Sequence, residues 1–170
     1  FFLQKSIFNI QGSEMILDIQ GPLSMAGPDE LDIRLGIGGT SYEDIVKALS
    51  IARNNSNIKS LMVRANTPGG EINGADFIWQ TMSALASEKP TLCQVTGMLA
   101  SAGYYILCPV GRIEATAPTD EIGSIGVIYA TWDFSEAYAK NGISRVEIRS
   151  KNAPKKAHDG TTKAGRDVLQ

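Results

Sequence analysis

Twice in this chain a mostly apolar run of strand length carries the backbone into a glycine-rich break, and helical periodicity follows. Ser60-Leu61-Met62-Val63-Arg64-Ala65 leads into Asn66-Thr67-Pro68-Gly69-Gly70, and a helix is expected from about Gly74 to Ser87 with Ile78, Met82 and Leu85 inward. Thr91 to Val95 leads to Gly97, and Ala100-Ser101-Ala102-Gly103 opens a short helix over Tyr104 to Leu107 that Cys108-Pro109 ends. Strand, glycine break, helix and strand in succession are the unit of a parallel sheet. The chain is therefore read as an α/β domain of parallel βαβ units with right-handed crossovers.

The remaining segments extend this order. Met15-Ile16-Leu17-Asp18-Ile19 reads as a buried strand closed by Gly21-Pro22, and Met25 to Thr40 as a long surface loop. Ser41 is placed to cap a helix with Glu43 and Asp44 in its first turn and Ile45, Ala48, Leu49 and Ala52 on one face. Further strands are expected at Arg112 to Ala115, in Ile122 to Tyr129 and at Arg145 to Arg149. A helix is expected over Phe134 to Lys140, stopped by Asn141-Gly142, and a last one near Thr162.

Composition removes several function classes. At 170 residues, 43% hydrophobic and 20% charged, the chain can bury a sizeable core without staples. Its net charge of −2 supplies no basic field for nucleic acid. No apolar run reaches the ~18 residues of a membrane span. Cys93 and Cys108 lack C-x-x-C spacing and are read as buried thiols of a reducing compartment. There is no Walker loop, no G-x-G-x-x-G opening a helix, and no Cys/His/Asp cluster with metal-ligand spacing, so neither cofactor nor metal is expected.

In open α/β sheets chemistry collects at the carboxyl ends of strands, where both glycine breaks fall. Ser101 is the candidate nucleophile there, and a serine hydroxyl needs a base. One candidate is His158, the lone histidine, beside Asp159, although an exposed loop histidine is the commoner role for such a residue. Another is a lysine of the loop Lys151-Asn152-Ala153-Pro154-Lys155-Lys156, if its surroundings favour the neutral amine. The Pro68-Gly69-Gly70 turn offers unobstructed backbone N–H groups suited to an oxyanion.

Three segments, Asn66-Thr67-Pro68-Gly69-Gly70, Ala100-Ser101-Ala102-Gly103-Tyr104-Tyr105-Ile106 and Gly123-Ser124-Ile125-Gly126-Val127-Ile128, resemble in that order the signature segments of the signal peptide peptidase A (S49) family of serine peptidases. The resemblance implies a ClpP/crotonase-type fold, a Ser-Lys dyad, endopeptidase activity and a ring-shaped homo-oligomer. It places the nucleophile at Ser101, a lysine-orienting serine at Ser124, and the oxyanion hole at Gly70 and the N–H of Ala102. Ala153-Pro154-Lys155-Lys156-Ala157-His158-Asp159 is similar to the Ser-Pro-x-Lys-x-x-Asp of phage members, which puts the general base at Lys156 with Lys155 in reserve.

By the same resemblance, the chain is a serine peptidase domain over residues 1–170, truncated within its C-terminal helical region. Its substrates are peptides or proteins, namely scaffold and capsid-associated proteins cut during phage head maturation in the host cytoplasm. Membrane members usually carry Ser-Gly-Gly where this chain has Ser101-Ala102-Gly103. The competing readings are a membrane-type signal peptide peptidase, a crotonase-like acyl-CoA enzyme, and a non-catalytic capsid assembly component.

Overall fold

A computed structural model describes residues 6–28, 31, 38–128, 130, 132–144, 146, 163, 166 and 167. The chain divides into two compact units, Phe1–Val127 and Ile128–Gln170. In the first, strands β1 (Phe8–Gln11), β2 (Glu14–Gln20), β5 (Ser60–Thr67), β6 (Thr91–Ala100) and β7 (Arg112–Ala115) lie side by side in that order, and β8 (Glu121–Gly123) also pairs with β6. All pairings are parallel except β1 with β2, a hairpin that turns at Gly12 with φ +61°. A small parallel pair, β3 (Leu23–Ser24) and β4 (Thr40–Ser41), stands apart. The parallel α/β architecture is thus the expected one.

Helix α1 (Tyr42–Asn54) joins β4 to β5, α2 (Ala75–Glu88) joins β5 to β6, and α3 (Ala102–Leu107) joins β6 to β7. The start of α1 follows from its cap, since the Asp44 N–H donates to Ser41 Oγ at 3.3 Å and Glu43 and Asp44 complement the helix dipole. Ile45, Ala48, Leu49 and Ala52 are all fully buried, as the spacing predicts. The same holds for Ile78, Met82 and Leu85 of α2. At the far end, Lys89 Nζ donates to the carbonyls of Ala52 and Asn55, satisfying the orphan acceptors of α1 with a cation. Arg53 forks onto Glu88 beside it. Cutting Leu49 back to Ala inside this layer costs about 2–5 kcal/mol.

Several expectations change. The strand expected at Thr91 to Val95 runs five residues further, because its second half gains β8 as a partner after β7 has ended. Among the described residues, the strand expected in Ile122 to Tyr129 is Glu121–Gly123, since Gly123 and Ser124 both take positive φ, at 138° and 52°, which ends an extended ladder. Of the loop expected from Met25 to Thr40, Leu31 is helical and Thr40 lies in β4, while residues 29, 30 and 32–37 lie outside the described residues. Cys93 is buried, and burial pushes its thiol up to about 12, but Cys108 is exposed at the end of α3. There its Sγ accepts from Trp79 Nε1 and donates to the Tyr105 carbonyl.

The second unit contains α4 (Ser135–Lys140), close to its expected span, followed by Gly142 at φ +71°. The expected strand at Arg145 to Arg149, apart from Val146, and the expected polar, lysine-rich loop from Ser150 to Gly160 lie outside the described residues, as does the last helix except residues 163, 166 and 167.

Candidate active site

The carboxyl ends of β5, β6 and β8 meet at Ser101. Strand β6 is pinned on both sides there, Leu99 lying opposite Thr67 of β5 and Ala100 opposite Gly123 of β8. The next residue, Ser101, donates its N–H to the Gly123 carbonyl at 3.0 Å and then leaves the sheet at φ 52°, ψ −124°. That conformation is costly for a residue with a Cβ, on the order of 1–3 kcal/mol, and persists only where the surroundings over-determine it. It turns strand into helix within one residue, so that α3 begins at Ala102 and the Ala102 N–H belongs to the first helical turn, where no intrahelical acceptor exists.

Among the described residues, the non-glycine positions with positive φ are Ser101 and Ser124. Each lies one residue past the last paired position of its strand, Ala100 and Gly123, so the two serines end neighbouring strands. Ser101 is half-buried and Ser124 exposed.

The glycine turn after β5 closes over the serine. A Cβ on Gly69 would stand 2.8 Å from Ser101 Cβ and from the Ala100 carbonyl oxygen, and 2.9 Å from the Ala102 nitrogen, so glycine alone fits at this φ of +91°. Gly70 abuts the Leu23 backbone on its other side. The Leu23 N–H donates to the Gly69 carbonyl and the Glu71 N–H to the Leu23 carbonyl, both at 2.9 Å, so the Gly70 N–H takes no part in that bridge. Gly103 is close-packed too, because a Cβ would meet Thr67 Cγ2 at 2.5 Å.

Three polar residues to which the sequence reading gives no role hold this arrangement. Thr67, fully buried, donates its hydroxyl to the Gly21 carbonyl at 2.6 Å and accepts the Gly69 N–H at 3.1 Å, which sets the glycine turn. Asn66 Oδ1 accepts the Met98 N–H at 3.2 Å across the irregular register between β5 and β6. Asp120, just ahead of β8, accepts the N–H groups of Gly97, Thr116 and Ala117 at 2.7–2.8 Å and the Thr116 hydroxyl. Those bonds, with Ala117 first, hold its carboxyl below the usual carboxylate range against an opposing desolvation. No Asx-type pattern marks Asp120 in the sequence, because its donors lie three and four residues before it and at Gly97, not two residues after it.

The outer face of the turn is fixed as well. The Tyr42 hydroxyl donates to the Glu71 carbonyl at 2.5 Å, and Glu71 Oε2 accepts the Met25 N–H at 3.1 Å. Burial, with the Glu71 carboxylate adding, pushes the Tyr42 phenol up to about 12.

The expected site residues Ser101, Ser124, Gly70 and Ala102 thus gather at adjoining strand ends. The expected bases Lys156 and Lys155, and the alternative pair His158 and Asp159, lie outside the described residues. Among the described residues no group of three His, Cys, Asp or Glu side chains has the geometry of a metal site, and no helix is long and apolar enough to cross a membrane.

Comparison with known proteins gives a consistent picture. The chain is 27% identical over 139 residues to the chloroplastic serine protease SPPA of Arabidopsis thaliana, covering 82% of this chain and 19% of that protein. It is 28% identical over 113 residues to the capsid assembly protease C of Escherichia phage lambda, covering 66% of this chain and 26% of that protein. The chain therefore spans well under half the length of these curated relatives. A solved structure of the membrane-bound stomatin-specific protease 1510-N matches over 69% of this chain and 50% of that one with a TM-score of 0.51 at 21% identity, a likeness of fold. The Clp protease family model matches residues 28–117, which hold the glycine turn and Ser101. The model of peptidase family S49 matches residues 83–170, half of the chain, and takes in both strained serines; the chain belongs to peptidase family S49.

Proposed function

We propose that this chain is a serine endopeptidase working through a Ser-Lys dyad, with Ser101 as nucleophile and Lys156 as general base. The observation that carries the reading is Ser101 itself, held at φ 52° between the close-packed Gly69 turn and the unpaired first turn of α3. A strained serine at a strand-to-helix junction, with backbone donors beside it, is the arrangement acyl transfer requires. The match to peptidase family S49 supports it.

In the proposed cycle the Ser101 hydroxyl gives its proton to the neutral Lys156 amine as Oγ attacks the substrate carbonyl carbon. The N–H groups of Gly70 and Ala102 hold the tetrahedral oxyanion. Collapse breaks the C–N bond, the protonated lysine gives its proton to the leaving amine, and an acyl-Ser101 ester remains. Water, deprotonated by the same lysine, then releases the acid. Ser124 orients the lysine, and Lys155 is the reserve base. The likeness to a phage capsid assembly protease supports scaffold or capsid-associated proteins as substrates, a ring-shaped homo-oligomer as the working form, and the host cytoplasm as the setting.

The test is labelling and cleavage. A fluorophosphonate should modify Ser101, and Ser101→Ala should abolish both the adduct and cleavage of a co-expressed scaffold protein, a loss of roughly 10⁴-fold or more. Unchanged cleavage in that variant sinks the reading. Activity should rise with pH as the lysine loses its proton and vanish in Lys156→Ala. Loss in Lys155→Ala with activity kept in Lys156→Ala moves the base by one residue.

A further inference from the structure

Strand β6 is paired along one edge by two strands in turn. Leu92 to Val95 pair with β7, Met98 to Ala100 pair with β8, and Thr96 and Gly97 lie between the two ladders. The Asp120 carboxylate fills that interval. Its Oδ1 accepts the Gly97 N–H at 2.8 Å, and its Oδ2 accepts the N–H groups of Thr116 and Ala117, the two residues that follow β7, at 2.7 and 2.8 Å. The Asp120 N–H donates to the Ala117 carbonyl at 3.1 Å, so backbone and side chain both fasten this residue to the end of β7. On the opposite edge of β6, Asn66 Oδ1 takes the Met98 N–H at 3.2 Å, and Gly97 bends between these two side chains at φ +124°.

Strand β8 begins one residue after Asp120. None of Glu121, Ile122 and Gly123 is buried, so no apolar face of its own selects the register of this strand. In the register it takes, Glu121 stands opposite Met98 and Gly123 opposite Ala100. That alignment brings the Gly123 carbonyl to the Ser101 N–H at 3.0 Å, where the chain leaves the sheet at φ 52°. A backbone in so sparsely populated a region persists only where its neighbours dictate it. The bond to Gly123 is one such constraint, and the carboxylate three residues earlier anchors it.

We infer that Asp120 is a positioning residue for the Ser101 nucleophile, fixing through the register of β8 the carbonyl that holds the Ser101 N–H. An aspartate suits the place because three N–H groups converge there and the two oxygens of one carboxylate accept all of them. Ser101 is a nucleophile only under the peptidase reading, on which this role rests, so its placement is measured both with and without its chemistry.

Asp120→Ala and Asp120→Asn are made in the full chain, and a rhodamine-tagged fluorophosphonate is reacted with each well below its melting temperature. The maximal labelling rate is expected to fall about 10- to 100-fold in Asp120→Ala, the scale set by a misplacement of about 1 Å, with the half-saturating probe concentration unchanged. Asp120→Asn keeps one acceptor oxygen and should label at a rate between the two, and it carries the test where the alanine variant does not fold. Amide hydrogen exchange gives the reading without chemistry. The Ser101 N–H should exchange about 10-fold faster in either variant once the change at the N–H of Leu49 in α1, which reports the stability of the core, is divided out. A folded variant that labels at the unsubstituted rate overturns the inference, as does a loss that lies wholly in the half-saturating concentration. Equal acceleration at Ser101 and Leu49 also overturns it and leaves Asp120 a general stabiliser. An unsubstituted chain that takes no label removes the peptidase reading, and exchange at Ser101 then decides the role of Asp120. Labelling of the unsubstituted chain, with rate and Ser101 exchange unchanged in both variants, removes that role alone.

Discussion

Gly69 carries as much of the proposed catalytic geometry as Ser101 does. Its missing side chain lets the β5 turn approach to where a Cβ would stand 2.8 Å from Ser101 Cβ, and its φ of +91° disfavours any other residue. Gly69→Ala is therefore expected to displace the turn from the serine, shifting the Gly70 N–H away from a developing oxyanion. Loss of one such donor costs a factor of about 10²–10³ in turnover. Fluorophosphonate labelling rate against melting temperature is the check: labelling should fall far more than stability. Asp120 acts one strand away and through charge. Its carboxyl is depressed by backbone donors, so its contribution to stability is fully present above the unfolded carboxylate pKa of roughly 4 and is lost as pH falls through the lower folded value. Asp120→Asn keeps one acceptor oxygen and loses the charge. It should lower the melting temperature at pH 7 and flatten its fall between about pH 5 and pH 2 relative to the unsubstituted chain.

Strand β5 shows how an element's end becomes a device. Thr67 is its last residue, fully buried, and its hydroxyl ties the Gly21 carbonyl on one side and the Gly69 N–H on the other. Thr67→Val keeps the shape but leaves the buried Gly69 N–H unpaired, at about 1–3 kcal/mol for a buried polar group without a partner, measured as a lowered urea midpoint. That role was not legible beforehand, because a threonine between Asn66 and Pro68 reads only as part of a break in regular structure. Elements defined by local chemistry were legible: α1 from its Ser41 cap and 3.6-residue spacing, and the core face of α2 from Ile78, Met82 and Leu85. The serine turn was legible for the same reason, as a glycine-bounded junction between two strong local patterns. What escaped depends on partners distant in sequence. The β6 strand continues beyond Val95 only because β5 and β8 flank it, and the β1 hairpin, with polar Asn9 and Gln11, has no pattern until Leu17 and Ile16 stand opposite Phe8 and Asn9. The exposure of Cys108 likewise depends on where the end of α3 lies.

At the scale of the whole molecule, folding and the proposed chemistry divide between the two units. Every buried apolar residue among those described lies between Met15 and Val110, and every described strand lies within Phe1–Val127. The α4 helix buries none of its residues. The first unit thus holds the core, both strained serines and the glycine turn, whereas the proposed base belongs to the second by sequence. A chain ending at Val127 is expected to keep the circular dichroism and a cooperative urea transition of an α/β fold, since it retains every described strand and every described buried apolar residue. It should nevertheless lose cleavage of a scaffold protein to the same extent as Lys156→Ala in the full chain, and its labelling by a fluorophosphonate should slow to match that variant. A truncated chain that unfolds would place core residues beyond Val127. One that cleaves at the full rate would put the base within the first unit and remove Lys156 and Lys155 together from the mechanism.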